Sequence, residues 1–296
     1  MIKLANRFFE KMFMADKWNV GYINQSLTDL IEQKKLNKIE WLKEDNVDYA
    51  ADPFITDIDN KIKIYYEELN FWHGRGKIMV IEDFDFNTKR EVRGIDPSTI
   101  HLSYPYLIHK DNQLYCIPET SRAKEVVLYK VNTSKPNVLS RYKILLSGKD
   151  FVDSSVIFYA NKYWLFTSVA GHDDELYIYY SSTLEGDYQP HRQNPIKVEK
   201  SACRSAGSLF VVNDSIYRPT QNPTHCYGGS IQINKILILT EDTYQTETVF
   251  EILPDKDYSR GIHHISFSQD KIVVDGKRRV RELLMPLKKL VKVVRN

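Results

Sequence analysis

Residues 155–166 decide the fold, and they read Ser155-Val-Ile-Phe-Tyr-Ala-Asn-Lys-Tyr-Trp-Leu-Phe166. Apolar and aromatic side chains fill two short runs on either side of a turn at Asn161. Asparagine tolerates the left-handed backbone of a tight turn, so the stretch predicts a β-hairpin. The same pattern occurs at four other places, with turns at Asp59-Asn60, Asp111-Asn112, Asn213-Asp214 and Gln269-Asp270.

A third strand follows most of these hairpins and a fourth follows several, as in Glu125-Val-Val-Leu-Tyr129 and Arg141-Tyr-Lys-Ile-Leu-Leu146. Four antiparallel strands repeated five times predict an all-β fold, a five-bladed β-propeller. The fifth repeat lacks its outer strands, and we expect residues 18–23 and 38–42 to supply them and close the ring. The alternative is an irregular β-sandwich.

Composition supports one soluble globular domain, since 42% of the 296 residues are apolar and 27% are charged. Residues 277–296 carry eight Lys or Arg against Glu282 alone, a net charge of about +7. We therefore predict an amphipathic N-terminal segment over residues 1–17, the propeller over 18–276 and a basic amphipathic helix over 277–296.

Several function classes are disfavoured by what the sequence lacks. Three widely spaced cysteines predict neither disulfides nor structural zinc, and the N-terminus lacks a signal-peptide core, so a cytoplasmic location is expected. No Gly-rich phosphate loop occurs, so no Rossmann-type nucleotide site and no cofactor are expected, and the propeller itself must bind any donor. Nucleic acid is also disfavoured because the basic residues are concentrated in the tail.

Polar residues converge on one mouth of the predicted channel. The first strand of each blade lines the axis of the propeller, and the second strand runs back antiparallel beside it. The start of the first strand and the end of the second strand therefore lie at the same mouth of the channel. The residues at these positions are Asp52, Glu67, Glu68, Ser103, Tyr104, Glu119, Asp153, Thr167, Ser168, Arg204, Arg218, Gln221, His263, His264 and Asp275. This convergence predicts a functional site at that mouth.

An ordered series of phrases also carries a family resemblance. It comprises Ala51-Asp-Pro-Phe54, His101-Leu-Ser-Tyr-Pro-Tyr106, Ile117-Pro-Glu-Thr120, Val152-Asp-Ser-Ser155, Arg204-Ser-Ala-Gly207, Tyr217-Arg-Pro-Thr-Gln221, Tyr227-Gly228, Gly261-Ile-His-His264 and Val274-Asp-Gly276. The series resembles the N-terminal propeller region of plant glucosamine inositolphosphorylceramide transferases and its stand-alone bacterial relatives. That region is similar in fold to five-bladed glycoside hydrolases, the family 43 and invertase-like enzymes.

The hydrolase families are known for a base or nucleophile Asp in blade 1, a second Asp in blade 3 and a general-acid Glu in blade 4. The resemblance implies that Asp52 is the first and Asp153 the second. Blade 4 instead offers Arg204, a cation where those families have the acid. Because cleaving an alkyl glycoside requires protonation of a poor leaving group, this departure disfavours ordinary hydrolysis.

A phosphate leaving group requires positive charge rather than a proton, and arginine contacts phosphate with two hydrogen bonds. We therefore expect a glycosyltransferase that uses a phosphate or nucleotide donor, with Arg204 and Arg218 on the phosphate. Asp52 would deprotonate the acceptor hydroxyl, while Glu119 or Asp153 would hold sugar hydroxyls or stabilise the cationic ring. Further donor or substrate contacts are expected from Tyr104, Gln221, Tyr227, His263, His264 and Asp275.

Alternatives remain open at this stage. Glu119 as the acid would make the protein a family 43-like hydrolase, and a degenerate site would make it a carbohydrate-binding propeller. Arg204 and Arg218 can also form a structural ion-pair network. No metal is expected, since the adjacent pair His263 and His264 has no third ligand at a usual spacing.

The expected partners are a sugar donor and a glycan acceptor, with a lipid-linked surface glycan as one form of the acceptor. From Val280 onward, apolar residues recur at spacings of three and four among basic ones. Such a helix either lies on an anionic membrane surface or packs on the propeller.

Overall fold

The computed structural model describes residues 12–95, 100–288 and 290, whose strands form five antiparallel sheets arranged as a five-bladed β-propeller. The chain enters through β1 (Met14–Asn24), helix α1 (Leu27–Gln33) and the short strand β2 (Glu40–Trp41). Ser26 caps α1, because its side chain accepts a hydrogen bond from the Asp29 backbone N–H.

The blades follow one another along the chain. Blade 1 contains β3 (Tyr49–Ile58), β4 (Lys61–Leu69), β5 (Gly76–Glu82) and β6 (Asp85–Glu91). Blade 2 contains β7 (Ser103–Lys110), β8 (Gln113–Glu119), β9 (Glu125–Val131) and β10 (Leu139–Ser147). Blade 3 contains β11 (Phe151–Tyr159), β12 (Lys162–Val169), β13 (His172–Ser181), β14 (Gln189–Pro190) and β15 (Ile196–Lys197).

Blade 4 contains β16 (Phe210–Val212), β17 (Ser215–Asn222), β18 (Ser230–Leu239) and β19 (Tyr244–Ile252). The inner strands of blade 5 are β20 (Ile265–Ser268) and β21 (Lys271–Arg281). Two short 3₁₀ turns, Ser121–Ala123 and Lys200–Ala202, lie in the connections.

The predicted hairpin turns are confirmed. Asp59 and Asn60 both have positive φ, 54° and 60°. Both residues of the turns at Asp111-Asn112 and Asn213-Asp214 also have positive φ. Two successive left-handed residues give the turn twist that suits a two-residue hairpin, and Asn and Asp adopt it at low cost.

Blade 5 joins the two ends of the chain. Its strand order is β20-β21-β1-β2, so N-terminal strands supply the two outer positions, as the sequence predicts. β1 pairs with β21 from Met14 opposite Arg281 to Asn24 opposite Lys271. Apolar cores fill the spaces between blades; one of them contains Phe210 and Ile233 of blade 4, Ile265 of blade 5 and Leu30 of α1.

The expected helix over residues 277–296 is wrong at its start. Residues 277–281 belong to β21, because each pairs with a residue of β1 and the ladder satisfies their backbone groups. Helical structure follows at residues 285–288, and residues 291–296 lie outside the described part. β1 likewise begins at Met14, within the expected N-terminal segment, of which residues 1–11 are outside the described part. Among the described residues, no helix has the length and apolar character needed to span a bilayer.

Candidate active site

Three β-bulges shape the mouth of the channel. The pairing register of the first strand shifts between Ala51 and Phe54 in blade 1, and similar shifts occur in blades 2 and 3. Within them, Asp52, Tyr104 and Asp153 have φ of 50°, 44° and 50°. Bulges re-aim side chains, and positive φ is rare for non-glycine residues and collects at functional sites. The repeated bulge thus marks the place where the propeller presents its chemistry.

Two glutamates stand beside these bulges at equivalent positions of the second strands. Glu67 pairs with Ala51 in blade 1, and Glu119 pairs with Ser103 in blade 2. Glu119 also crosses to the next blade, where its Oε2 accepts a hydrogen bond of 3.2 Å from the Asp153 backbone N–H. The fold therefore brings carboxyl groups from three blades together.

These residues line a pocket of about 170 Å³, below the roughly 300–1,000 Å³ of drug-sized ligand sites. This volume suits one small unit such as a single sugar ring. The lining residues are Tyr49, Asp52, Glu67, Leu69, His101, Ser103, Glu119, Asp153, Arg204, Gln221 and Tyr227.

Asp52 remains ionised despite its burial. Its Oδ1 lies 3.5 Å from His264 Nδ1 and 3.8 Å from His263 Nε2. Burial by itself would raise the pKa of Asp52, but attraction to His264, His263 and Arg204 outweighs it and lowers the pKa to about 2.

Glu119 has the opposite electrostatic character. Burial and the negative charge of Asp153 raise the pKa of Glu119 well above its usual range, against the opposing influence of Arg204. Burial and Asp52 also raise the pKa of Glu67, although His101 Nε2 lies 3.1 Å from its Oε1 and acts against the rise. Carboxyl groups whose pKa values are driven apart within one pocket are typical of acid–base catalysis.

Arg204 supplies positive charge at the pocket wall. Its Nε donates a 2.7 Å hydrogen bond to Asp153 Oδ2, and 30% of its side chain is exposed. Gln221 Nε2 donates to the same oxygen at 3.2 Å. Among the residues that the structure describes, the two terminal nitrogens of Arg204 have no hydrogen-bond partner, so they are available to a ligand.

Asp275 lies beneath the pocket rather than in it. It is fully buried, and its Oδ1 accepts hydrogen bonds from the backbone N–H groups of His263 and His264. Its Oδ2 accepts from the Asp52 N–H at 3.1 Å and lies 2.6 Å from His263 Nδ1. Asp275 therefore fixes the backbone that carries the site, and this residue, expected to contact substrate, is not among those that line the pocket.

His263 and His264, also expected to contact the ligand, are buried and are not among the residues that line the pocket. The ring of His263 stacks on Trp18 of β1 with 4.1 Å between centroids. His264 packs edge-on against Phe54 and Tyr104. Both histidines support Asp52 from behind.

Two further predicted contacts serve the fold instead. Tyr104 is fully buried, and its hydroxyl bonds to Ser155 Oγ at 2.8 Å and to the Gly207 backbone. Arg218 is 1% exposed and donates to the backbone carbonyls of Ala202 and Cys203, so it is not part of a phosphate site. Their side chains turn away because the bulge and the 3₁₀ turn offer partners inside the propeller.

One cluster has the composition of a cation site. Ligand atoms of Asp52, His263 and Asp275 lie within 4.8 Å of one another. Sequence spacing did not reveal this set because Asp52 belongs to blade 1 and the other two residues belong to blade 5. Three backbone N–H groups and the His263 ring already occupy the Asp275 oxygens, so the contacts describe a hydrogen-bonded ion-pair network.

Sequence reasoning did not single out Tyr49 or His101, and it placed Ser103 at the mouth of the channel without assigning it a ligand contact. His101 is positioned by Gly76, whose backbone N–H donates to its Nδ1 at 2.9 Å. The signal for Glu67 was its register, which matches that of Glu119 one blade later. No comparable signal exists for Tyr49, which reaches the pocket from the first residue of β3.

Comparison with known proteins agrees with this architecture. An α-L-arabinofuranosidase of Podospora anserina, solved with cellotriose, has a TM-score of 0.59 at 11% identity and covers 77% of this chain and 82% of its own. The catalytic domain of a GH62 α-L-arabinofuranosidase of Coprinopsis cinerea has a TM-score of 0.58 at 11% identity, covering 86% and 85%. At such low identity, these similarities show the fold.

Sequence relatives are more specific. Glucosamine inositolphosphorylceramide transferase 1 of Oryza sativa subsp. japonica is 33% identical over 205 residues, which are 67% of this chain. The chain spans about a quarter of that relative's length, 27%. The profile of the N-terminal region of glucosamine inositolphosphorylceramide transferase 1 matches residues 42–263. The chain therefore belongs to the family defined by that N-terminal region.

Proposed function

We propose that the pocket transfers a glycosyl group from a phosphate-activated donor to an acceptor hydroxyl. The observation that carries the proposal is that Asp52 and Glu119, whose pKa values are shifted in opposite directions, share one small pocket with the Arg204 cation. The family relationship supports a role connected with glycosyl transfer, since the matched relative is named as a transferase.

Asp52 would act on the acceptor. A hydroxyl that attacks a cationic anomeric carbon becomes strongly acidic as the new bond forms, so even a weakly basic carboxylate can take its proton late in the step. The charge on Asp52 also stabilises the developing oxocarbenium ion. His263 and His264 hold this carboxylate in place from behind.

Arg204 would bind the donor phosphate through its terminal nitrogens while Asp153 and Gln221 keep the side chain in position. The phosphate departs as a stable anion, so charge is required at this point rather than a proton. Glu119 in its neutral form would donate a hydrogen bond to the sugar or the leaving group. Because Arg218 is buried, Arg204 is the main proposed contact of the two arginines expected to bind the phosphate.

A glycoside hydrolase of the family 43 type is the second candidate, because the neutral Glu119 also has the properties of a general acid. The same pocket would then accept water in place of the acceptor hydroxyl. A carbohydrate-binding propeller without catalysis is the third candidate, and it requires only the small polar pocket.

The test begins with a screen of sugar nucleotides and sugar 1-phosphates by thermal shift. A ligand at about 100 times its Kd should stabilise the folded protein by about 2.7 kcal/mol. Arg204→Ala should abolish the shift, whereas Arg192→Ala, an exposed arginine paired with Asp242, should retain it. Mass spectrometry then follows sugar transfer to candidate acceptors.

Hydrolysis of alkyl glycosides that disappears in Glu119→Gln would replace the transferase proposal with the hydrolase. Sugar binding without turnover of any donor or glycoside would favour the binding module.

A further inference from the structure

Four leucines near the end of the described chain are exposed. The exposed fractions are 68% for Leu283, 50% for Leu284, 51% for Leu287 and 62% for Leu290. We call these four residues the leucine patch. Clustered exposed apolar side chains of this kind mark interaction surfaces.

The fold holds this patch in a defined position. Within the same segment, Met285 and Lys288 are buried, at 2% and 8% exposed. Lys288 Nζ lies 2.7 Å from Asp48 Oδ1 and 3.6 Å from Glu282. Because these residues take the inward side of the helical turn, the leucines face outward.

The leucine patch lies on the face of the propeller that carries the pocket. In β21, Asp275 marks the level of the pocket through its bond to the Asp52 N–H. The strand continues for six more residues to Arg281, roughly 20 Å further in the same direction. Asp48 links the patch to the rim, since its backbone N–H donates to the carbonyl of Leu69, which lines the pocket.

Basic residues accompany the leucines. Of the eight Lys or Arg in residues 277–296, the fold uses Lys277 and Lys288 internally, and Arg278 pairs with Glu44. Arg279 is exposed, and the sequence adds Lys289, Lys292 and Arg295. A second copy of this chain would place like charges opposite each other, whereas an anionic lipid surface complements them.

We propose that the leucine patch seats the pocket face of the propeller on an anionic lipid surface. The leucines enter the interface between headgroups and acyl chains, and the basic residues contact anionic headgroups. The pocket then opens toward the membrane. Membrane binding of the patch does not depend on the proposed chemistry of the pocket.

The experiment measures co-sedimentation of the full chain with phosphatidylcholine vesicles, with and without phosphatidylglycerol. Binding is expected only with the anionic lipid, and it should weaken as salt shortens the Debye length from about 10 Å at 0.1 M to 3 Å at 1 M. Leu284→Ser and Leu287→Ser should each weaken binding about tenfold, the scale of one buried leucine.

Leu237→Ser is the matched control. Leu237 is 51% exposed, and it lies near the C-terminal end of β18, away from the pocket. Its vesicle binding should equal that of the unmodified chain. Asp52→Asn should also bind vesicles normally, which separates failure of the membrane proposal from failure of the proposed chemistry.

Two results would overturn the inference. Lower melting temperatures of the Leu284 and Leu287 variants without a change in vesicle binding would mean that another part of the chain covers the leucines. A dimer that these substitutions dissociate, together with no vesicle binding, would assign the patch to a second copy.

Discussion

At the residue scale, Asp52 has the same unusual backbone as a surface residue that has no part in the pocket. Asp52 has φ of 50° at its bulge, and Asp111 has φ of 49° in an exposed hairpin turn. Asparagine tolerates this conformation as well as aspartate does. The same Asp→Asn change at the two positions therefore separates chemistry from backbone strain.

Asp52→Asn should lower turnover by at least about a hundredfold, the usual effect of removing a positioned proton acceptor. Asp111→Asn should leave turnover unchanged, since its side chain is 88% exposed and outside the pocket. Steady-state kinetics on both variants, with circular dichroism to verify folding, gives the comparison. Near-normal turnover in Asp52→Asn would remove this residue from the mechanism.

The pH dependence of turnover should show the state of Glu119. Its pKa is raised, so the neutral form persists above the usual range and is lost as pH rises through the raised pKa. Turnover that needs neutral Glu119 should therefore decline on the alkaline side. Glu119→Gln cannot ionise, so its pH profile should lack that decline even though its maximum is lower; an unchanged alkaline limb would assign the titration to another group.

At the element scale, ring closure also builds the site. Trp18 of β1 is 1% exposed and stacks on His263 of blade 5. Lys277 of β21 lies 5.1 Å from the Trp18 ring and donates a hydrogen bond to the carbonyl of Tyr227. The N-terminal strand therefore supports both the histidine behind Asp52 and the loop that carries Tyr227.

Trp18→Ala should lower the free energy of unfolding by about 3–5 kcal/mol, the cost of truncating a buried aromatic. It should also reduce turnover, because His263 loses its stacking partner. Phe158→Ala is the comparison, since Phe158 is 54% exposed and its change should cost less than about 1 kcal/mol. Urea unfolding measures the free energy of unfolding of both variants. Equal losses would mean that packing of Trp18 in β1 contributes no more to stability than an exposed aromatic residue does.

The hairpins were predictable from sequence because alternating apolar residues and Asn/Asp turns are local signals. The direction of the side chains at the bulges was not predictable, since one extra residue in a strand has no signature in the amino-acid composition. Arg218 and His264 show the consequence: both were placed at the correct level of the channel but face into the fold. Residues 277–281 were misassigned to a helix because their strand partner, β1, is distant in sequence.

At the scale of the whole molecule, a buried ion pair joins the C-terminal segment to the start of blade 1, beside the pocket. Asp48 and Lys288 are 240 residues apart in sequence and have 8% and 10% exposed side chains. Asp48 Oδ2 also accepts a 2.7 Å hydrogen bond from the Phe71 N–H. The pair thus ties the C-terminal segment to the loops that form the pocket rim.

Removal of one member of this pair should leave a buried charge without its partner, at a cost of about 3 kcal/mol. Lys288→Met and Asp48→Asn should each destabilise the protein, and the double variant should cost clearly less than their sum. The exposed pair Lys38–Glu40, with 84% and 51% exposed side chains, should show coupling below about 1 kcal/mol in a parallel cycle. Urea unfolding of the seven proteins, with the unmodified chain common to both cycles, measures both couplings. Additive effects at Asp48 and Lys288 would mean that the C-terminal segment, and the leucine patch with it, is anchored by Met285 packing alone.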